Sequence, residues 1–471
     1  MKGLVQLCAF ALALMIAGCK VVLPDRGLTP LMAPAVWKSN HSSTNEPAGN
    51  WWNQFGDERL GLLVHEALGN NPDLRATAIR LEQSLLHAEV AGIRQPNVEA
   101  TLNSSKQRNN FIGLPIGDGM LVSRYVSHGL SLNTRWEADV WGRLKAGKQK
   151  AWADSSAAHA DLWAARQSLA AQVVKTWVAL TEANEQLSLA QTNILILDIT
   201  VKQAELRYDL GVSPALDLRL AKTNLASTQA VKEQWQASRV QFCRQLETLL
   251  GRYPTGFILG SQTLPQLIPD VPAGIPSELL TRRPDIAASS ARVVSAQSQI
   301  KKAQAELYPK LMLTTSLGTS TEKLKSLLDD KYLVWSFGSE ITQPILNQKQ
   351  LRNNVRLQEA LAAESMLHHR RIVLNAFGEV EVALANETIL QAREKHLAAA
   401  AGHAGKALDL AEDRYSRGLE PFVTVLEAQR RYTEARSQRV SARRFRLENR
   451  ANLHLALGGD FLKPKPLILE D

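Results

Sequence analysis

Two periodicities divide this chain. Across residues 130–140 apolar and polar positions alternate, with Leu130, Leu132, Thr134, Trp136, Ala138 and Val140 set against Ser131, Asn133, Arg135, Glu137 and Asp139. Side chains two apart share a face of a strand, so the run predicts a β-strand with one apolar and one polar side. The same alternation places Val98, Ala100 and Leu102 together, then Leu311, Leu313, Thr315 and Leu317, then Trp335, Phe337, Ser339 and Ile341 opposite Ser336, Gly338, Glu340 and Thr342. Strands are therefore predicted over residues 97–106, 127–141, 310–319 and 334–346. Between and around them the period lengthens to that of a helix. Val173, Leu180, Leu187, Ile194 and Val201 fall a heptad apart, with Ala183, Ala190 and Leu197 on the companion seam, which is the pattern of coiled-coil packing. Helices are predicted over residues 72–95, 143–209, 214–250, 285–308, 351–417 and 421–457.

The order of these elements repeats. Arg414-Tyr415-Ser416-Arg417-Gly418-Leu419-Glu420-Pro421 is a second copy of Arg207-Tyr208-Asp209-Leu210-Gly211-Val212-Ser213-Pro214, and the shared register continues through Leu246 with Leu453 and Gly251 with Gly458. In each copy a glycine and a proline three residues later interrupt a helical pattern, which predicts a helix end, a tight bend and a second long helix. Upstream, Asn71-Pro72-Asp73-Leu74 matches Arg283-Pro284-Asp285-Ile286. The chain is accordingly divided into a first repeat over 61–252, a proline-rich irregular connector over 253–284, a second repeat over 285–460 and a tail over 461–471.

The amino terminus adds a destination. Lys2 precedes an apolar stretch from Leu4 to Ile16, too short to span a membrane as a mature helix, so residues 1–18 read as a secretory signal peptide. Ile16-Ala17-Gly18-Cys19 resembles the bacterial lipobox, which implies cleavage before Cys19 and its lipidation. Lys20 follows in place of the aspartate that retains such lipoproteins at the inner membrane, so the expected destination is the outer membrane of a Gram-negative-type cell. Residues 19–60 are expected to form a lipid-anchored tether.

Charge and chemistry change the picture little. The formal net charge is +9, but the densest basic cluster, between Arg430 and Arg450, lies on one helix without interleaved aromatic platforms, so a solvated helix face or lumen lining is favoured over nucleic-acid binding. After processing, the remaining cysteines are Cys19 and Cys243, and no intrachain disulfide is expected. No metal-ligand spacing, phosphate loop or catalytic set is present, so no cofactor, metal or enzymatic activity is expected. No mature segment supplies the roughly 20 apolar residues of a membrane helix, and four strands cannot close a barrel that needs about eight. If the strands span a membrane, several chains must pool them.

Secretion, the lipobox, the duplicated half, the paired strands and the two long hairpins together resemble the TolC-type outer-membrane channels of tripartite efflux pumps, in particular the lipoprotein branch serving RND-type transporters. The motifs carrying the likeness include Trp136-Glu137-Ala138-Asp139-Val140-Trp141-Gly142-Arg143-Leu144, Arg282-Arg283-Pro284-Asp285-Ile286, and Arg414 to Gly418 followed by Val425-Leu426-Glu427-Ala428-Gln429. Asn347-Gln348-Lys349-Gln350 stands where the branch usually has a glycine-rich turn. The resemblance implies a mainly α, internally duplicated fold, in which a homotrimer pools four strands per chain into a 12-stranded membrane β-barrel above a coiled-coil periplasmic tunnel. It also implies a passive exit duct supplied by an inner-membrane transporter through a periplasmic adaptor protein. A periplasmic adaptor is the runner-up, but it would carry a single hairpin between split lipoyl halves. A lipid-anchored envelope enzyme would need a clustered acid, base or metal set. The family closes its tunnel at the bends. Carried over by position, Asp217 matches a gate acid, Tyr415 the gate tyrosine, and Glu427 an acid of the second copy, while Thr424 lacks a second acid and Glu420 replaces a basic residue. Any replacement pairing is expected to recruit Arg417 or Arg219.

Overall fold

The computed structural model describes residues 34, 36–39, 50–93, 95–111, 121–265, 271, 274 and 276–459. The signal peptide, Cys19 and the 461–471 tail lie outside them. A 3-10 turn over Trp51–Phe55 leads into α1 (Glu58–Asn70) and α2 (Pro72–Gly92), then β1 (Asn97–Phe111), β2 (Leu121–Ala138), α3 (Arg143–Asp209) and α4 (Ala215–Leu249). The second half runs α5 (Pro276–Arg282), α6 (Pro284–Ala305), β3 (Lys310–Thr321), β4 (Leu333–Thr342), α7 (Gln348–Ser416) and α8 (Phe422–Ala456). The chain separates into two units, one built from residues 84–155 and 291–367 and the other from 31–83, 156–290 and 368–471, so each draws on both halves of the duplication.

The first unit holds an antiparallel sheet in the order β1-β2-β3-β4. Its register gathers the predicted faces. Leu102 opposes Leu130, Leu132 opposes Leu317 and Trp136 opposes Leu313, while Leu317 opposes Trp335 and Thr315 opposes Phe337. Directly opposed residues share a face, so these side chains make one apolar surface. The other surface is polar and cross-linked by its own side chains. Asn133 donates to the Thr101 hydroxyl at 3.0 Å and accepts from Ser316 at 2.7 Å.

The strands end where their residues are needed as caps. Residues 127–141 were expected to form one strand, but β2 stops at Ala138 because both carboxylate oxygens of Asp139 accept from the first amides of α3, Leu144 at 2.9 Å and Lys145 at 2.8 Å. β4 likewise stops at Thr342, short of residue 346, ahead of Gln343 and Pro344. The segment read as an unusual turn, Asn347 to Gln350, already belongs to α7 from Gln348 onward.

The second unit is organised around the coiled-coil seams. Val173, Leu180, Leu187 and Val201 are buried, as are Ala183, Ala190 and Leu197, with Ile194 half-buried. Two further elements, α1 and α5, were not expected. Trp51, Trp52 and Phe55 are buried with Leu60 and Val64 in the main core, and α1 begins at Glu58 because the Asp57 side chain accepts from the amides of Arg59 and Leu60. Within residues 19–60 structure thus starts at Trp51, where the aromatic run of Trp51, Trp52 and Phe55 leads the sequence reading to expect it. The connector contains α5, whose Pro276 and Leu279 are buried. Proline suits the first turn of a helix, where its missing N–H leaves no bond unmade.

The duplication is visible as a repeated helix cap. At the end of α4 the Asn71 side chain donates to the Leu249 carbonyl at 2.9 Å; at the end of α8 the Arg283 guanidinium donates to the Ala456 carbonyl at 3.1 Å. The glycines that follow, Gly251 and Gly458, have φ of 74° and 94°. A Cβ on either would collide with backbone, 2.7 Å from the Asn70 carbonyl oxygen or 2.4 Å from that of Arg282. The copies diverge one turn earlier. Glu247 accepts from the Thr255 hydroxyl and the amides of Gly256 and Phe257, so the connector folds over it. Burial opposes its ionisation, but those donors outweigh it and hold the carboxyl below the ordinary range. The matching position of α8 is His454, whose imidazole stacks on Trp51 at 5.1 Å.

Candidate functional site at the paired helix bends

Both bends use the same local chemistry. Gly211 and Gly418 take φ of 73° and 74°, and their amides bond to the carbonyls of Tyr208 and Tyr415. The next amides, of Val212 and Leu419, reach back to the carbonyls of Arg207 and Arg414, closing a left-handed glycine cap. Pro214 and Pro421 then start α4 and α8 with ψ of 151° and 154°. A β-region ψ before a helix turns the chain, so each glycine-to-proline spacing produces one hairpin.

The two hairpins meet in an apolar cluster of Val201, Ala204, Ala221, Phe422 and Leu426. Above it Arg207, from the end of α3, donates to the Tyr415 hydroxyl at 2.6 Å, and its guanidinium carbon lies 5.0 Å from the ring centroid. The Tyr415 ring tilts against Phe422 at 5.4 Å. A guanidinium that both bonds the hydroxyl and lies against the ring fixes the tyrosine more firmly than either contact alone.

The other predicted positions are held locally. Asp217 accepts from the Ser213 hydroxyl at 2.7 Å within its own bend. Glu427 is gripped by Arg430 at 2.9 Å and Arg431 at 2.7 Å, which take its carboxyl down to about 2. Arg417, just past the end of α7, pairs with Asp413 of that helix at 2.8 Å, and Arg414 with Glu420 at 3.2 Å. Arg219 forms no ion pair with a described residue, and its carbonyl accepts from Thr223. The residue that joins the hairpins is therefore Arg207, rather than Arg219 or Arg417. Its signal lay in the repeat itself, because Arg207 is the counterpart of Arg414, but which member of each pair faces the other hairpin is set by packing. Among the described residues no group of three or more His, Cys, Asp or Glu stands together to hold a metal. Among the described residues no helix is long and apolar enough to cross a membrane.

Two duplicated halves, each with a strand pair and a long hairpin, match the profile of a known family at residues 63–252 and 275–459. The chain is an outer membrane efflux protein. This member of the family is 30% identical to the pyoverdine export outer membrane protein OpmQ of Pseudomonas putida, over 98% of each chain. It is 27% identical to the cation efflux system protein CusC of Escherichia coli, over 96% of this chain and 98% of that one. Its structure matches that of the outer-membrane channel OprN with a TM-score of 0.85 at 27% identity, covering 95% of this chain and all of the other. The protein is thus a TolC-type channel of the outer membrane, the exit component of an efflux pump, with a large periplasmic part.

Proposed function

We propose that three copies of this efflux protein close a 12-stranded barrel across the outer membrane, and that the Arg207–Tyr415 contact holds the periplasmic end of the tunnel shut. The observation that carries the proposal is the sheet. Four strands present a continuous apolar face, and among the described residues β1 and β4 each pair along only one edge. An open edge cannot persist in lipid, where every backbone amide must be bonded, and three such sheets joined edge to edge leave none. The apolar face then meets the acyl chains and the polar face lines water.

The duplication supports the same assembly. On α3, Glu182 is 1% exposed because Ser441 and Arg444 of α8 reach it at 2.6 and 3.0 Å. Its counterpart on α7 is Ile389, which is 61% exposed. In a ring of three chains the α4 of a neighbour, the counterpart of α8, covers that position. In this reading Cys19 carries the lipid anchor, a periplasmic adaptor and an inner-membrane RND-type transporter engage the periplasmic end, and the duct passes what they deliver. The names of relatives span pyoverdine export and cation efflux, so the fold itself does not select one cargo. The protein extracted in detergent should sediment as a trimer and conduct ions across planar bilayers. A monodisperse monomer that keeps its β signal would overturn the proposal.

A further inference from the structure

Where α2 gives way to β1, the first unit contains a cleft of about 860 Å³ lined by Ala88, Glu89, Ile93, Trp136, Lys148 and Trp152. Trp136 belongs to the apolar face of the sheet, so the cleft continues the surface formed by Leu132, Leu313 and Leu317. The Lys148 stem lies beside Gly92, its Cε 3.7 Å from where a β-carbon would stand. Glycine at that position leaves the lysine free to lie across the end of α2. Neither Lys148 nor Glu89 forms an ion pair with another described residue. One cation and one anion thus share a cleft flanked by two indoles, whose remaining lining is apolar apart from Gln95.

We propose that this cleft binds a phospholipid with a phosphoethanolamine headgroup, its phosphate on the Lys148 ammonium and its amine on the Glu89 carboxylate. This rests on the reading that the apolar sheet face meets lipid. The strands join the helices at this end, which places the cleft at the periplasmic headgroup level, where indole rings favour the boundary between chains and water. The acyl chains leave the cleft over Trp136 and run along the apolar face. A volume of this order holds a headgroup and the first methylenes of its chains. An anionic headgroup would satisfy Lys148 but leave Glu89 facing like charge, whereas the zwitterion satisfies both. The acyl groups expected on Cys19 carry no phosphate and have no use for the lysine.

The test is native mass spectrometry of the detergent-solubilised protein titrated with phosphatidylethanolamine and with phosphatidylglycerol of identical chains. The wild type should bind phosphatidylethanolamine the more tightly. Lys148→Gln should weaken both lipids, phosphatidylethanolamine by roughly tenfold, as loss of a charged hydrogen bond does. Glu89→Gln should abolish the preference without weakening phosphatidylglycerol. Gly92→Leu, which fills the cleft from the opposite wall, should weaken both. An intact trimer that binds the two lipids equally, or whose Lys148→Gln variant binds as the wild type does, overturns the inference and leaves the channel assignment standing. A protein that never assembles in detergent overturns the membrane reading instead.

Discussion

Acid should loosen this protein through His454. The imidazole is 1% exposed, stacked on Trp51 with 15° between the rings, and neither ring nitrogen has a hydrogen-bond partner among the described residues. Burial, and to a lesser extent the nearby Arg450 guanidinium, lower its pKa from 6.5 to about 4. Arg450 itself is held at 2.8 Å by Glu387, so the positive charge beside the ring stays in place. The folded state keeps the histidine neutral, while the unfolded chain protonates it below about pH 6.5. Its contribution is therefore fully present above that pH and falls as pH drops toward 4. The loss reaches about 2 kcal/mol at pH 5 and about 3 kcal/mol below pH 4, from 1.36 kcal/mol for each unit of separation. His454→Phe keeps a flat ring against Trp51 and cannot take a proton. Thermal unfolding followed by tryptophan fluorescence in detergent, at pH 7.5 and pH 5, should show the wild type losing more stability than the variant. Glu247 and Glu387 lose their favourable ionisation in the same direction, so the difference between the two proteins is the diagnostic quantity. Equal losses in wild type and variant would show that the histidine does not report its burial in this way.

Arg207→Ala combined with Tyr415→Phe should raise single-channel conductance and the antibiotic sensitivity of the host, and Asp217→Ala, which only frees Ser213, should do less; unchanged conductance in an assembled double mutant would place the constriction elsewhere. Glu182→Cys with Ser441→Cys should be bridged within one chain by a short bismaleimide, whereas Ile389→Cys with Gln234→Cys, the same positions in the other copies, should give linked dimers and trimers on denaturing gels. Failure of the second pair in an assembled trimer would refute the quasi-equivalent packing. Gly418→Ala meets open space and should cost only the left-handed conformation, about 1 kcal/mol, while Gly458→Ala must also displace the Arg282 carbonyl and should prevent accumulation of folded protein. Comparable melting temperatures for the two variants would contradict the close approach.

The sheet was legible because alternation has a period of two and the apolar set fixes register, so Leu132 and Leu317 meet as their pattern requires. The bends were legible because each is written twice. The helices missed, α1 and α5, are short: the start signal of α1, Asp57, drew no reading, and Pro276, which starts α5, was taken as part of the irregular connector. Arg207 was missed for a different reason. Its partner Tyr415 lies in the other hairpin, and no local pattern says which of two equivalent arginines crosses over. His454 was hidden by the same symmetry, since its counterpart Glu247 is a polar cap and gives no hint of an imidazole under an indole.

That stacked pair also sets an order of events during synthesis. Trp51 leaves the ribosome some four hundred residues before His454, and the ring that seals it comes from the last turn of the last helix. The early tryptophans, with Phe55 and Leu60, must stay exposed and soluble through translation and export until the carboxyl end arrives. Ribosome-stalled or truncated chains ending before α8 would present that unsealed surface to whatever escorts unfolded proteins across the periplasm, making the stretch from Trp51 to Leu60 the part most dependent on a holding chaperone.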